Sequence, residues 1–409
     1  MSAPTTIDPG VSKAHPLKNV DFRSLWIGMS ISIFGDQFYF VALPWLVLLY
    51  TGSGVALGTI LMVGAIPRAA LMFLGGVATD RISARRILIS TATTRMILVA
   101  VAAVLLYLHV LHLWHLYCLA LAFGIADAFA MPAGQALMPT IVSQEQLPAA
   151  NALINSSAQV CSIAGPAPAG YILRIWGVAA AFVIDAVSFL FVILALLRLK
   201  DVPFSRGPAR GGIWKLIHEG MQYVMKDAPM RSLMLLVTVL NFCVGGPLTV
   251  GLAVLSQQRF GSAAAYGTLL SAVAAGTLLG SFLPALIKSH HHRGLVVLGF
   301  SGVVGCEMIA MGLLHNFISI AVLLAILGFG NGLTSVYVQS WFQGHIERSF
   351  IGRVMSIFMF AAFGLLPLSY AIAGALVEVR ISLMFLGAGV FVLIATFIAA
   401  VNKQVRAID

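Results

Sequence analysis

"GGVATDRISARRILIS", Gly75 to Ser90, sets one aspartate and three arginines between two long apolar runs. Its meaning depends on how little charge the rest of the chain holds. Of 409 residues, 60% are hydrophobic and only 9% are charged, with a mean hydropathy of +0.99. Soluble domains carry roughly 25% charged residues. A bilayer crossing needs roughly 20 apolar residues, and runs of that length follow one another almost end to end. The chain therefore reads as a polytopic membrane protein, and the knot at 80–86 as a tight loop between two crossings.

Working outward from that loop, apolar runs between charged or turn-rich breaks predict about twelve helices, near 22–50, 54–78, 86–109, 113–138, 148–174, 177–199, 230–257, 262–287, 294–314, 317–343, 351–377 and 381–401. The longest polar stretch separates the sixth from the seventh. The expected organisation is a six-helix bundle over 1–199, a linker over 200–229 and a second six-helix bundle over 230–409. Within the linker, "IWKLIHEGMQYVM" carries a helical apolar stripe suited to lying along a membrane surface. The two halves share a weak repeat: "FGIADAFAMPAGQALMP" from Phe123 resembles "FGNGLTSVYVQSWFQGH" from Phe329. Paired halves of this kind build transporters that rock about a site near the bilayer midplane.

The formal net charge of +10 resides in short loops and forms no basic domain, so nucleic acid is not an expected partner. Lys and Arg gather on one side, in the start of the chain, the 80–86 loop, the linker and the end of the chain. Arg174, Arg259 and Arg380 are the few on the other side. The positive-inside rule then puts both termini in the cytoplasm. Cys118, Cys161, Cys243 and Cys306 sit in apolar runs without metal spacing, and neither a metal nor a cofactor is expected. Nor is there a Walker, nucleophile-elbow or HExxH sequence, which counts against ATP-driven transport and enzyme chemistry.

The loop resembles a signature of the major facilitator superfamily, G-x-L-A-D-R-x-G-R-R. Here it reads "GVATDRISARR", with Gly76, Asp80, Arg81, Arg85 and Arg86 in place, while Ser83 and Ala84 depart from the pattern. The matching loop of the second half, "PALIKSHHHRG", lacks the aspartate. Two readings stand for the knot: solvated anchors, or a latch in which the carboxylate accepts from a helix N-terminus and pairs with arginines. The resemblance favours the latch. "GDQFYFVALPWLVLLYTGS", "AIPRAALMFLGGVATDR" and "FVIDAVSFLF" are similar to the branch of macrolide efflux proteins and the enterobactin exporter. "CSIAGPAPAG" resembles the antiporter signature G-x-x-x-G-P-x-x-G-G, keeping Gly165, Pro166 and Gly170. The resemblance implies a monomer of the bacterial inner membrane that exports an amphipathic or lipophilic small molecule in exchange for protons. A lysophospholipid flippase or a siderophore exporter is the alternative within transport, and a sensor or scaffold the alternative outside it.

Ionisable groups inside spans are costly and mark function. Asp36 lies half-way along the first helix, Arg68 in the second, Arg95 in the third, Asp127 in the fourth, Asp185 in the sixth and Glu307 in the ninth. An isolated carboxylate in such surroundings favours its protonated form, which makes it a proton carrier. Asp36 is the first candidate; the competing reading locks it against Arg68 or Arg95. An Asp127–Arg68 pair is a further arrangement. For Asp185 a structural bond to a neighbouring helix is the favoured reading. Tyr39, Gln135, Asn331, Gln339 and Trp341 are the candidate substrate contacts, because a neutral amide in a span must find a partner and aromatic faces accept apolar or cationic guests.

Overall fold

A backbone surrounded by lipid must satisfy its own polar groups, and a single chain with this pattern does so as helices. The computed structural model describes residues 15–79, 82–199, 213–286, 293–347, 350–401 and 406. The N-terminal half comprises α1 (Val20–Thr51), α2 (Gly54–Thr79), α3 (Ala84–Tyr107), α4 (Leu113–Ile141), α5 (Leu147–Ala164) and α6 (Pro166–Arg198). The amphipathic linker stretch forms α7 (Ile213–Lys226). The C-terminal half begins with α8 (Ala228–Gly246), which runs on through a π-helical segment (Pro247–Gly251), α9 (Leu252–Leu255) and a second π-helical segment (Ser256–Phe260). It continues with α10 (Ala263–Leu286), α11 (Arg293–Leu313), α12 (Phe317–His345), α13 (Ile351–Phe363), α14 (Leu366–Val379) and α15 (Ile381–Val401).

Eleven segments among the described residues are long and apolar enough to span a membrane. The twelfth comes from α6, which breaks at Gly177 (φ 79°, ψ 175°), a conformation that only glycine adopts readily. Residues before Gly177 finish the fifth crossing with α5, and those after it form the sixth. Proline sets two further breaks. Pro166 opens α6 after Gly165, and Pro367 opens α14, so the fifth and eleventh crossings are each two helices where the sequence predicts one.

Local signals place the ends. Asn19 Oδ1 accepts from the backbone N of Asp21 (2.9 Å) and Phe22 (3.3 Å) to cap α1, while its amide donates to Ile141 O at the end of α4 (2.9 Å). Asn316 caps α12 in the same way. In the charged knot, Arg85 donates to the terminal carbonyls of α6, Leu196 O (2.7 Å) and Leu197 O (3.1 Å), a favourable place for a cation. Asp80 and Arg81 lie outside the described residues. The linker helix docks on the second half: Arg353 Nη1 donates to Glu219 Oε2 (2.7 Å), Tyr223 stacks on Phe350 (4.8 Å between centroids), and His345 Nε2 lies 2.7 Å from Asp227 Oδ2.

Within the N-terminal half α1 packs on α6, α2 on α4 and α3 on both α4 and α6; in the other half α10 packs on α12 and α11 on α15. The halves meet through α2 against α14 and through α6 and α5 against α10. These contacts lie at mid-depth or toward the face opposite the linker. There Ser53 Oγ donates to Glu378 Oε1 (2.6 Å), and the backbones of Gly58 and Gly374 touch; a Cβ on Gly58 would come within 3.1 Å of Gly374 Cα. The structure is therefore sealed on that face.

The Gly58–Gly374 contact allows a test of the seal. Gly58→Leu should overpack it by about 1–3 kcal/mol and push the halves apart there. Spin labels at the exposed positions Val55 and Val379 should show a longer, broader distance distribution than in the parent. An unchanged distribution would show that this contact does not hold the halves together.

Candidate transport site

Five helices of the N-terminal half each bring one charged side chain to a common depth. Asp127 of α4 is the hub. It forms an ion pair with Arg95 of α3, and Arg68 Nη1 of α2 lies 3.8 Å from its other oxygen. Arg95 is further enclosed by aromatic rings, with its guanidinium carbon 5.7 Å from the centroid of Phe123 and 6.0 Å from that of Phe189. Tyr39 of α1 stacks on Phe123 at 4.2 Å with the planes 8° apart. This aromatic layer closes off one side of the cluster from the space between the halves.

Asp36 and Asp185 complete the cluster. Both lie within electrostatic reach of Arg95 and of each other. Neither enters an ion pair among the described residues, so the arrangement that locks Asp36 against Arg68 or Arg95 is absent, and both arginines go to Asp127. Asp185 is fully buried, and neither of its carboxylate oxygens has a hydrogen-bond partner among the described residues. The structural bond expected for it is therefore not formed. Glu307 in α11 is likewise buried with both oxygens unpartnered, but it stands apart from this cluster in the other half.

Beside the cluster lies a cavity of about 420 Å³ between the halves. Gln37, Tyr39, Arg68, Phe123 and Asp127 line it from one half, and Thr249, Tyr266 and Tyr370 from the other. Asp36 itself is not in this lining; its neighbours Gln37 and Tyr39 are. A second cavity of about 260 Å³ lies within the C-terminal half, lined by Asn241, Ser301, Asn331 and Thr334, and it shares Leu248, Thr249 and Tyr370 with the first. The first compartment thus offers charge and aromatic faces, and the second a mostly apolar wall with the two amides Asn241 and Asn331.

Of the candidate substrate contacts, Tyr39 faces the first cavity and Asn331 the second. Gln135 and Gln339 are exposed on the linker-side parts of α4 and α12, outside both linings. Trp341 is buried against His345, with the rings stacked at 4.5 Å. Pro166 and Gly170 serve the approach of the halves, whereas Gly165 lies against Gln37 of α1 within its own half. Pro166 lines the first cavity, and a Cβ on Gly170 would come within 3.0 Å of Ala264 Cα in α10. Asn241, Thr249, Tyr266 and Tyr370 were not singled out from the sequence. Asn241 carried the same signal as Asn331, an amide inside a span.

Two six-crossing halves around a shared cavity, with buried charge beside it, form a membrane transporter of the major facilitator type and not an enzyme. The chain belongs to the family described as transmembrane secretion effector (MFS_3), whose model matches residues 11–409. It is 22% identical over 397 residues to macrolide efflux protein A of Streptococcus pyogenes, covering 95% of this chain and 97% of that protein. It is 25% identical over 411 aligned positions to the multidrug efflux pump Tap of Mycolicibacterium fortuitum, covering 97% and 98%. Among solved structures, a point mutant of the nucleoside transporter NupG superposes with a TM-score of 0.76 at 13% identity, covering 93% of this chain and 99% of that chain. That likeness concerns the fold.

If Arg95 and Asp127 form the structural core of the cluster, removing Arg95 leaves Asp127 with only the longer Arg68 contact. Arg95→Met should lower stability by on the order of 3 kcal/mol, and Arg95→Met with Asp127→Leu should recover most of that loss. Thermal unfolding in detergent reads both. A double variant no more stable than the single one would show that the pair is not the main term.

Proposed function

We propose that the protein exports an amphipathic or lipophilic small molecule across the cytoplasmic membrane in exchange for protons, by alternating access. One observation carries this reading: carboxylates without ion-pair partners lie beside a cavity between the halves whose lining is largely apolar and aromatic. A carboxylate kept from water without a direct ion-pair partner is costly when ionised, and a charge that changes during the cycle gives that cost a use. The aromatic walls suit apolar or cationic surfaces, and the amide-lined second compartment suits a hydrogen-bonding appendage. Relatives named for macrolide and multidrug efflux agree with export of such molecules.

In this reading the linker, the N-terminus and the basic loops face the cytoplasm, and the structure is the inward-facing member of the cycle. Substrate enters from the cytoplasm or inner leaflet. Proton binding and release at the Asp36 region then bias the two arrangements of the halves, because each ligand shifts the equilibrium only by its differential affinity for the two states. Asp80 is the candidate latch that closes the cytoplasmic side in the opposite state, acting on the equilibrium without touching cargo.

Reconstitution tests this directly. Liposomes holding the protein and a pH dye should show proton movement that depends on added macrolide or lipophilic cation. Asp36→Asn, which mimics the protonated carboxyl, should reduce gradient-driven export to the level of protein-free liposomes while substrate binding in detergent persists. Export that continues unchanged in Asp36→Asn would remove that residue from the coupling step, and substrate movement without proton movement in the parent would overturn antiport.

A further inference from the structure

The cluster, fully buried at Asp185 and open to the cavity at Arg68 and Asp127, does not balance its charge. Asp36, Asp127 and Asp185 supply three carboxylates, whereas Arg68 and Arg95 supply two guanidinium groups. Both arginines are placed on Asp127, so the deficit falls on the other two acids. Asp185 is the more enclosed of these. Its Oδ1 lies 3.3 Å from where a Cβ on Gly35 would stand, so it points at the α1 backbone next to Asp36. The nearby Ser188 hydroxyl does not relieve it, because that hydroxyl donates to the Asp185 backbone carbonyl (2.7 Å). The remaining polar groups within electrostatic reach of Asp185 are Tyr39 of α1 and Arg95 of α3, and Arg95 is in turn paired with Asp127 of α4, which Arg68 of α2 also approaches.

We propose that Asp185 and Asp36 together hold a single proton across the α1–α6 contact, with Asp185 as the proton-storing group that the coupling step draws on. The physical ground is neutrality. With all five groups ionised the cluster carries one excess negative charge, which falls at its enclosed Asp185 end, and one proton on the pair removes it. Two carboxylates in reach of each other oppose each other's ionisation, and the one guanidinium in reach of both, Arg95, is already ion-paired with Asp127. The step is a proton transfer only. The pair binds a proton from water on the extracellular side and releases it to water on the cytoplasmic side, and no other bond changes. The inference rests on the proton-coupled reading for its role in transport, but not for the existence of the stored proton.

Infrared difference spectroscopy of the purified, detergent-solubilised protein between acidic and alkaline buffer detects a protonated carboxyl through its C=O stretch. The parent should show one such band assignable to the cluster. Asp185→Asn and Asp36→Asn should each abolish it, since either substitution leaves two carboxylates facing two arginines. Arg68→Gln should instead add a second protonated carboxyl, because it removes a countercharge. A cooperative thermal unfolding transition in detergent reports that each variant is folded. Proteoliposome assays supply the second arm, in which Asp185→Asn should transport substrate downhill but no longer move protons.

The outcomes separate the two claims. A parent without the band, or an Asp185→Asn variant that keeps both the band and the proton movement, overturns the inference while leaving antiport intact. A band lost in Asp185→Asn, together with no substrate-dependent proton movement in the parent, upholds the stored proton and overturns antiport. An Arg68→Gln variant with no added band would refute the charge balance itself.

Discussion

Placing charge among membrane-spanning helices is the constraint on which the rest depends. Asp127 answers it by collecting two arginines from two helices, and that demand fixes α2, α3 and α4 around one point. Once those helices are fixed, α6 and α1 must close the remaining side. The aromatic rings of Tyr39, Phe123 and Phe189 then fill the volume around a guanidinium that would otherwise face hydrocarbon. A buried ion pair is weak evidence of net stability, since desolvation offsets much of the attraction.

The two halves answer different demands. The N-terminal half concentrates its charge at mid-depth, whereas the C-terminal half places amides and hydroxyls around a smaller cavity and keeps one acid, Glu307, apart. The contact between halves is correspondingly made of small residues and backbone, where Gly58 meets Gly374 and Gly170 meets α10. Close backbone approach gives dispersion and shape fit without binding the halves through large interlocking side chains. Such a contact can re-form in another register at modest cost, and this suits halves that move against each other.

Much of the fold was legible in the sequence. Helix 22–50 is found as Val20–Thr51 and helix 113–138 as Leu113–Ile141, because length and hydropathy alone decide whether a segment spans. What spacing could not give was the lateral order of the helices. Arg95 and Asp127 lie on different helices, and nothing in either helix says which neighbour it faces. The same gap hid Asp185, whose "DAVSF" context suits a helix–helix bond equally well. The break at Gly165–Pro166 sits inside a continuous apolar run, so only the backbone geometry divides the crossing. Trp341 illustrates the converse, since an aromatic in a span carries the same signal whether it lines a cavity or packs on His345.

The π-helical turns after α8 give the wall between the two cavities an unusual character. Leu248 and Thr249 belong to the segment Pro247–Gly251 and face both compartments. A π turn is wider than an α turn and is found frequently at functional sites. With Tyr370 of α14, these residues present themselves to a guest in either compartment, so the shape of one cavity is set by side chains that the other also uses.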